Sequence, residues 1–535
     1  MDVAVIGSGV TGVFTAHALA RRGLKVTILD VGERLDAPRQ AAVAQLRELD
    51  PTAWPREQRT LISTNATIGG DELPKKMHFG SDYIYAAERP FGRVETKPAG
   101  RAPVPTFARG GFSNIWGAAV LPPDACDMAD WPLARSELEP YFRKVAALLP
   151  LCGGGGTIER SFPTYNGSLG QLDPGPQGVS LLKDLERAEK QLTADDVLYG
   201  GARLAIHTAA GEDSVLPCNG CGQCFTGCVR GAIFSTLPML EGMQRRGEVI
   251  YRDGLFVSSV KEDAGAARIE VTDLHQVANE PTRELTFAAA FIAAGPLNTT
   301  AILLRSGGYY DRPIMFKESQ KFVVPALRFH AAPTAIEVPS VTLASAFIEA
   351  KAPELSDHWI HVQMIPMNDL TSTGSRLPGL NSAWGRRLWA PVLRRVMLGW
   401  FGMHSDHSSS LEMRLLRAAG QSDVLSITLN VSQNARREAR TAARRVAKLL
   451  RNAGVYFQPR MIRFSNPGSG THCGSSFPMR VRPSQLFDSD GLGRPFGWRR
   501  IHAVDASVLP SIPGTTLAFP VMANAYRIAE QADLG

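Results

Sequence analysis

The stretch "PCNGCGQCFTGCVRGA", Pro217 to Ala232, carries four of the seven cysteines of a 535-residue chain, spaced C-x2-C-x2-C-x3-C at Cys218, Cys221, Cys224 and Cys228. Thiols this dense can pair as disulfides, hold zinc, cycle as a redox pair or ligate an iron-sulfur cluster. The spacing is that of a bacterial ferredoxin ligand run, with Val229 where such a run has proline. Zinc sites more often come as two CxxC knuckles separated by a longer loop, and free thiols in a glycine-rich loop are the plainest alternative. Disulfides are disfavoured, because nothing before the first strand-like segment reads as a secretion signal.

A second constellation opens the chain. In "DVAVIGSGVTGVFTAHALARRGLKVTILDVG" an apolar run, a glycine turn, a helix-period segment and a second apolar run ending in Asp30 follow in order, which is a βαβ unit. Gly7 permits the tight turn, Gly9 lets the backbone approach a pyrophosphate, and Gly12 lets helix and strand pack closely. Asp30 stands where a carboxylate accepts hydrogen bonds from a ribose. The unit predicts dinucleotide binding without separating FAD from NAD.

Three further groups of residues remain. "RGGFSNIWG" holds Gly110, Gly111, Ser113, Asn114 and Gly117 and is too rich in small residues to be a packed strand. "AAGPLNTTAILLRSG" places Ala294 and Gly295 at a strand-to-helix turn. "THCGSS" offers His472, an imidazole in a polar loop, beside Cys473, which reads as a small buried thiol.

The elements that must position these groups are legible in outline. Length predicts more than one domain-sized unit, and 44% hydrophobic with 20% charged residues is ordinary globular composition. The net charge of +7 is spread along the chain, so nucleic-acid binding is not expected. No apolar run is long enough to span a bilayer, and a cytoplasmic protein is expected. After "DWP", Ser136 is the predicted cap of a helix with an apolar stripe at Leu138, Tyr141, Val145 and Leu148. "EVIYRDGLFVSSVKE" predicts strands joined at Asp253-Gly254, as part of the nucleotide-binding sheet. Alternating runs between about Pro313 and Asp369, "DVLSITLNV" and a helix from about Asn434 to Asn452 predict a second, antiparallel sheet domain inserted into the first.

Taken together, the GSGVTG unit, "GGFSNIWG" with "DWP" and "ELEPYF", "AAGPLNTTAILLRSG" and "THCGSSFPM…HAVDASVLPSIPGTTLAFPVMANAYRIAEQ" resemble the glucose-methanol-choline oxidoreductases from the first strand to the last helix. The resemblance implies an α/β fold: a Rossmann-type FAD-binding domain from 1–125, 205–310 and 460–535, with an inserted antiparallel-sheet substrate domain from 126–204 and 311–459. It also implies oxidation of an alcohol by hydride transfer to flavin. It assigns the 110–117 loop to the flavin, Asp505 to the neighbourhood of the FAD pyrophosphate, and the base to His472. The family's second histidine or asparagine falls here on Thr516, whose hydroxyl can hydrogen-bond a substrate oxygen but is no base at neutral pH. His472 then works alone, or with a group from the substrate domain.

The cysteine run resembles that of FAD-dependent glucose dehydrogenase catalytic subunits, with Cys218, Cys224 and Cys228 matching a three-iron ligand spacing and Cys221 extra. That implies a 3Fe-4S or 4Fe-4S cluster, a sugar, amino-sugar or related alcohol as substrate, and an external electron acceptor or partner subunit. A metal-free oxidase and a flavin-holding lyase or electron-transfer protein remain open alternatives. Finally, "SAWGRRLWAPVLRRVMLGWFGMHSDH" predicts a helix from about Pro391. Its face of Val392, Leu393, Val396, Met397, Trp400 and Phe401 lies beside Arg386, Arg387, Arg394 and Arg395. This suits peripheral membrane contact through 384–401, a lid, or packing on a sheet.

Overall fold

The computed structural model describes residues 1–534 apart from 64–75, 86–91, 99–102, 211–214, 264, 276–281, 368–381, 418–422, 468 and 470. The predicted run to Asp369 therefore ends outside the described residues.

The βαβ unit forms as predicted: strands Asp2–Ile6 and Lys25–Leu29 flank the helix Val10–Arg21. They lie in a five-stranded parallel sheet whose order runs Ile501–Ala503, Ala289–Ile292, Asp2–Ile6, Lys25–Leu29, Val249–Arg252. Parallel strands are covered on both faces and so read as continuous apolar runs, as Val3 to Ile6 and Ala289 to Ile292 do. The last helix, Ala518–Gln531, packs against the first and is buried along almost its whole length. The Asp253-Gly254 turn exists, with Gly254 at φ 68°, but it changes sheets. Val249–Arg252 joins the parallel sheet, whereas Leu255–Asp263 begins an antiparallel three-stranded sheet with Ala266–Asp273 and Arg283–Phe287.

The second sheet system is largely antiparallel. Its main path runs Val455–Phe457, Lys321–Arg328, Val396–Gly402, Ser356–Pro366, Ala346–Ala352, Val197–Gly201. Strict alternation gives it two unlike faces. Phe322, Val324, Met397, Phe401, Ile360, Val362 and Ile348 face a core shared with Ala439, Ala442, Ala443 and Val446 of the helix Gln433–Leu449. Lys321, Trp400, Gly402, His361, Gln363 and Glu349 occupy the opposite face. A further sheet crosses the expected domain limits. Arg93–Lys97 pairs with Val424–Asn430, and Cys473–Gly474 pairs with Ile314–Glu318.

Two local expectations are corrected. The helix after "DWP" spans Arg135–Ala147 and starts one residue before Ser136; Glu137 accepts the Ala134 N–H at 2.7 Å, so a backbone-directed carboxylate replaces the expected serine cap. Its buried face uses Leu138, Phe142, Val145 and Ala146. The helix predicted from Pro391 instead spans Ala383–Leu393, and Val396–Gly402 is a central strand between Lys321–Arg328 and Ser356–Pro366. Pairing with a strand on each side overrides the helical spacing of "VMLGWFG". Met397 and Phe401 are fully buried, Arg394 is paired with Glu337, and the side chain of Arg386 lies outside the described residues. Trp384 and Leu388 stay exposed. Among the described residues no helix is long and apolar enough to cross a membrane.

This arrangement predicts that Phe401→Ala destabilises the protein by about 3–5 kcal/mol, the usual cost of deleting a buried aromatic ring. Trp384→Gln should stay within about 0.5 kcal/mol of wild type. Chemical denaturation of both variants checks the pair, and equal effects would contradict the strand assignment.

Candidate functional site

One cavity of about 460 Å³ is walled by the N-terminal glycine turn at one end and by the large antiparallel sheet at the other. It gathers Gly7, Gly9, Asp30, Gly111, Ser113, Gly117, Ala294, Gly295, Asp505, Thr516 and His472, which the sequence spreads over more than 500 positions. Gly110 and Asn114 are not among the wall residues and act from behind it. Asn114 Nδ2 donates to the carbonyls of Arg109 at 2.9 Å and Gly111 at 3.0 Å, and Gly110 N donates to Ser8 Oγ at 2.8 Å.

The nucleotide end is built for close approach. A side chain at Gly12 would collide with the Gly7 carbonyl, whereas the space a side chain would take at Gly9 is open. Gly12 therefore serves packing and Gly9 serves access. Asp30 accepts from Ser8 Oγ and, at 3.1 Å, from Tyr251 Oη, yet burial pushes its carboxyl up to about 6. Ser113 Oγ donates to Gly110 O at 2.6 Å and holds Thr236, whose hydroxyl donates to Ser8 O at 2.9 Å. Gly295, at φ 83°, caps the helix Pro296–Ser306. Asp505, its carboxyl raised by burial, accepts from Thr299 Oγ1 and from Ser507 N at 2.9 Å.

The opposite end is held by strand pairing. Glu318 pairs with Cys473, and Ser319 N donates to the His472 carbonyl at 2.9 Å, so His472 is stitched two residues from Lys321. His472 forms part of the cavity wall, and its Nδ1 has no hydrogen-bond partner among the described residues. The surrounding protein, then Lys321 and His361, hold its imidazole well below the usual range, hence neutral. Thr516 also lines the cavity, but its hydroxyl is committed: Oγ1 donates to Leu121 O and accepts from Leu121 N, both at 2.9 Å. Cys473 is buried and its thiol is pushed up, chiefly by that burial.

Sequence reasoning did not single out the sheet face. Lys321, Gly402, His361 and Glu349 are register partners in one row across four strands. Lys321 is 4% exposed, donates to Gly514 O at 3.0 Å, and is brought down to about 7 by burial, with Glu349 and Glu318 opposing. His361 Nδ1 meets Glu349, and its Nε2 lies 3.1 Å from Gln363 Nε2. Gly402 is required because a side chain there would strike both the Gly514 carbonyl and Lys321 Nζ. The signal was present as the alternation in "HWIHVQ", but a polar strand face reads the same toward solvent or toward a cavity.

All seven cysteines are free thiols. Cys218, Cys221, Cys224 and Cys228 lie close enough for their charges to interact, and burial pushes Cys218 up to about 11 and Cys221 up to about 12. Among the described residues, the ligand atoms gathered in threes within 4.8 Å of one another belong to His358, His404 and Asp406, not to this loop. A single zinc ion, with Zn–S of about 2.3 Å, needs closer sulfurs than the loop presents. Phe225 of the loop lines the cavity, as does Lys76, whose amine burial lowers to about 8 against the opposing charges of Cys224 and Cys228.

Gly402→Ala should shift Lys321 or the Gly514 backbone and cost about 1–3 kcal/mol as overpacking. Thermal denaturation checks this, and a variant as stable as wild type would contradict the close approach.

A family model described as FAD dependent oxidoreductase matches residues 2–61. No curated protein matches the sequence. Among solved structures the chain is similar to the crystal structure of pyridoxine 4-oxidase from Mesorbium loti, with a TM-score of 0.59 and 13% identity over 99% of this chain and 98% of that chain. The expected α/β architecture, a Rossmann-type nucleotide-binding sheet with a second sheet system, is thus shared with that structure along the whole chain.

Proposed function

We propose that the protein binds FAD and oxidises the CH–OH group of a small alcohol. The observation that carries this reading is the single cavity joining the Gly7-Gly9-Asp30 cradle to a neutral histidine with an unpartnered ring nitrogen. The residues fit the cofactor: open space at Gly9, a positive φ of 55° at Gly111 facing it, and a carboxylate at the end of the second strand. When bound, FAD supplies the hydride acceptor. The protein's own part is to hold the ribose at Asp30, to lay the pyrophosphate against the glycine turns near Asp505, and to hold the substrate hydroxyl at His472. Trp400, Ile365 and Leu343 on the cavity wall favour an alcohol on an apolar or aromatic body over the sugar or amino-sugar that the cysteine run suggests.

For electron exit, Cys218, Cys224 and Cys228, with or without Cys221, are the candidate ligands of a 3Fe-4S or 4Fe-4S cluster serving an external acceptor or partner subunit. Four neighbouring thiols are a fitting donor set, and Phe225 brings their loop to the cavity wall. In the competing oxidase reading, oxygen takes the electrons and the thiols stay metal-free. The likeness in fold to pyridoxine 4-oxidase, an oxidase by name, favours that alternative.

His472→Asn should retain FAD while slowing anaerobic flavin reduction ~10²–10⁴-fold, the usual worth of a positioned proton-handling group; unchanged reduction rates would remove His472 from the site. FAD affinity of the apoprotein should fall below about pH 6, as Asp30 takes up its proton and becomes an uncharged, weaker acceptor, by up to about tenfold per unit. Asp30→Asn should flatten that dependence in a fluorescence titration. Protein purified without air should contain iron and sulfide that Cys224→Ser loses, whereas iron-free wild type consuming oxygen with substrate would favour the oxidase.

A further inference from the structure

Thr516 cannot fill the second active-site position in the usual way, because its hydroxyl proton and a lone pair are both taken by Leu121. The cavity nevertheless has a second nitrogen beside His472. Lys321 reaches it from the first residue of its strand, opposite Gly402, whose missing side chain makes room for the amine. Five elements surround it. Glu318 and His472 approach from the neighbouring strand pair, Glu349 and His361 from the same register row, and Gly514 from the C-terminal loop, giving a backbone carbonyl and no charge.

We propose that Lys321 is a catalytic residue of the alcohol oxidation, receiving the substrate hydroxyl proton on its neutral amine while His472 orients that hydroxyl. The inference rests on the flavin reading above. In the step, the substrate O–H bond breaks with its proton going to Lys321 Nζ, and the C–H bond breaks with its electron pair leaving as hydride, for which bound FAD would supply the acceptor. The C–O bond becomes a carbonyl, so the two electrons and two hydrogens that the alcohol loses leave as one hydride and one proton. His472 suits the orienting part, since its surroundings oppose any charge on the ring, and a group whose affinity for protons matches the working pH is the better acceptor. Glu349 and His361 act through Lys321 as positioning residues: their hydrogen bond ends on Gln363 at the cavity wall, and the Glu349 carboxyl, held well above its usual range by burial with Asp127 adding and Lys321 opposing, stands in the same register row as the amine.

The test uses FAD-loaded protein mixed anaerobically with a panel of aliphatic and benzylic alcohols, following flavin absorbance. Lys321→Met keeps chain length and removes the amine; retention of the flavin spectrum and melting temperature verifies its fold. The expected result is ~10²–10⁴-fold slower flavin reduction. The wild-type rate should rise about tenfold per pH unit up to about pH 7 and level off above, an inflection that Lys321→Met loses. In Lys321→Ala, added ethylamine should restore part of the rate, which a purely structural lysine would not allow. Independently of turnover, trace acetylation read by mass spectrometry should give Lys321 a midpoint near 7. Wild-type rates and pH profile in Lys321→Met, or a labelling midpoint near that of an ordinary lysine, overturn the role of Lys321 alone. Failure of every alcohol to reduce the wild-type flavin overturns the oxidation reading, and this proposal with it.

Discussion

A buried lysine must give up its proton or find a compensating charge, and the wall between the two sheet systems is built around that requirement at Lys321. Glu349 and Glu318 stand beside the amine and oppose the effect of its burial, the Gly514 carbonyl supplies one acceptor, and Gly402 supplies the space. Each comes from a different part of the chain, so the arrangement exists only when the sheet is in register. One residue of slip in strand Val396–Gly402 would exchange Gly402 for Phe401 and turn the apolar face toward the cavity.

The same alternation explains why the large sheet can serve both stability and chemistry. Its outer face buries Phe322, Val362 and Phe401 against the alanine stripe of the helix Gln433–Leu449, where small residues let the helix lie close. Its inner face is free to carry Lys321, His361 and Gln363, because the hydrophobic stabilisation has been supplied on the other side. The parallel sheet divides the work differently. Both of its faces are covered, and its chemistry sits at the loops beyond Ile6, Leu29 and Ile292, where strands end and the helix N-termini of Val10–Arg21 and Pro296–Ser306 begin.

The parts of the fold legible in the sequence were those with local causes. Gly7, Gly12 and Asp30 announce their unit because turn, packing and carboxylate are all set within thirty residues, and the Ala293-Ala294-Gly295 turn is legible for the same reason. What escaped depended on distant pairing. The spacing in "APVLRRVMLGWFG" cannot be divided into helix and strand from that segment alone; the chain breaks at Arg394-Arg395 because Val396 to Gly402 finds strand partners on both sides. Lys321 carries no local mark of its surroundings, because Gly402, Glu349 and Gly514 come to it from distant parts of the chain. Thr516 lines the cavity, but its hydrogen bonds to Leu121 are visible only in three dimensions.

Whether one cavity carries a dinucleotide from the N-terminal glycine turn to the wall of His472 and Lys321 is tested most directly by a crystal structure of the FAD-loaded protein. The expected density puts the adenosine ribose on Asp30, the pyrophosphate between the glycine turn at Gly9 and Asp505, and the flavin ring against the wall that holds His472 and Lys321. Flavin density away from that wall, or a ring separated from both side chains by intervening protein, would contradict it.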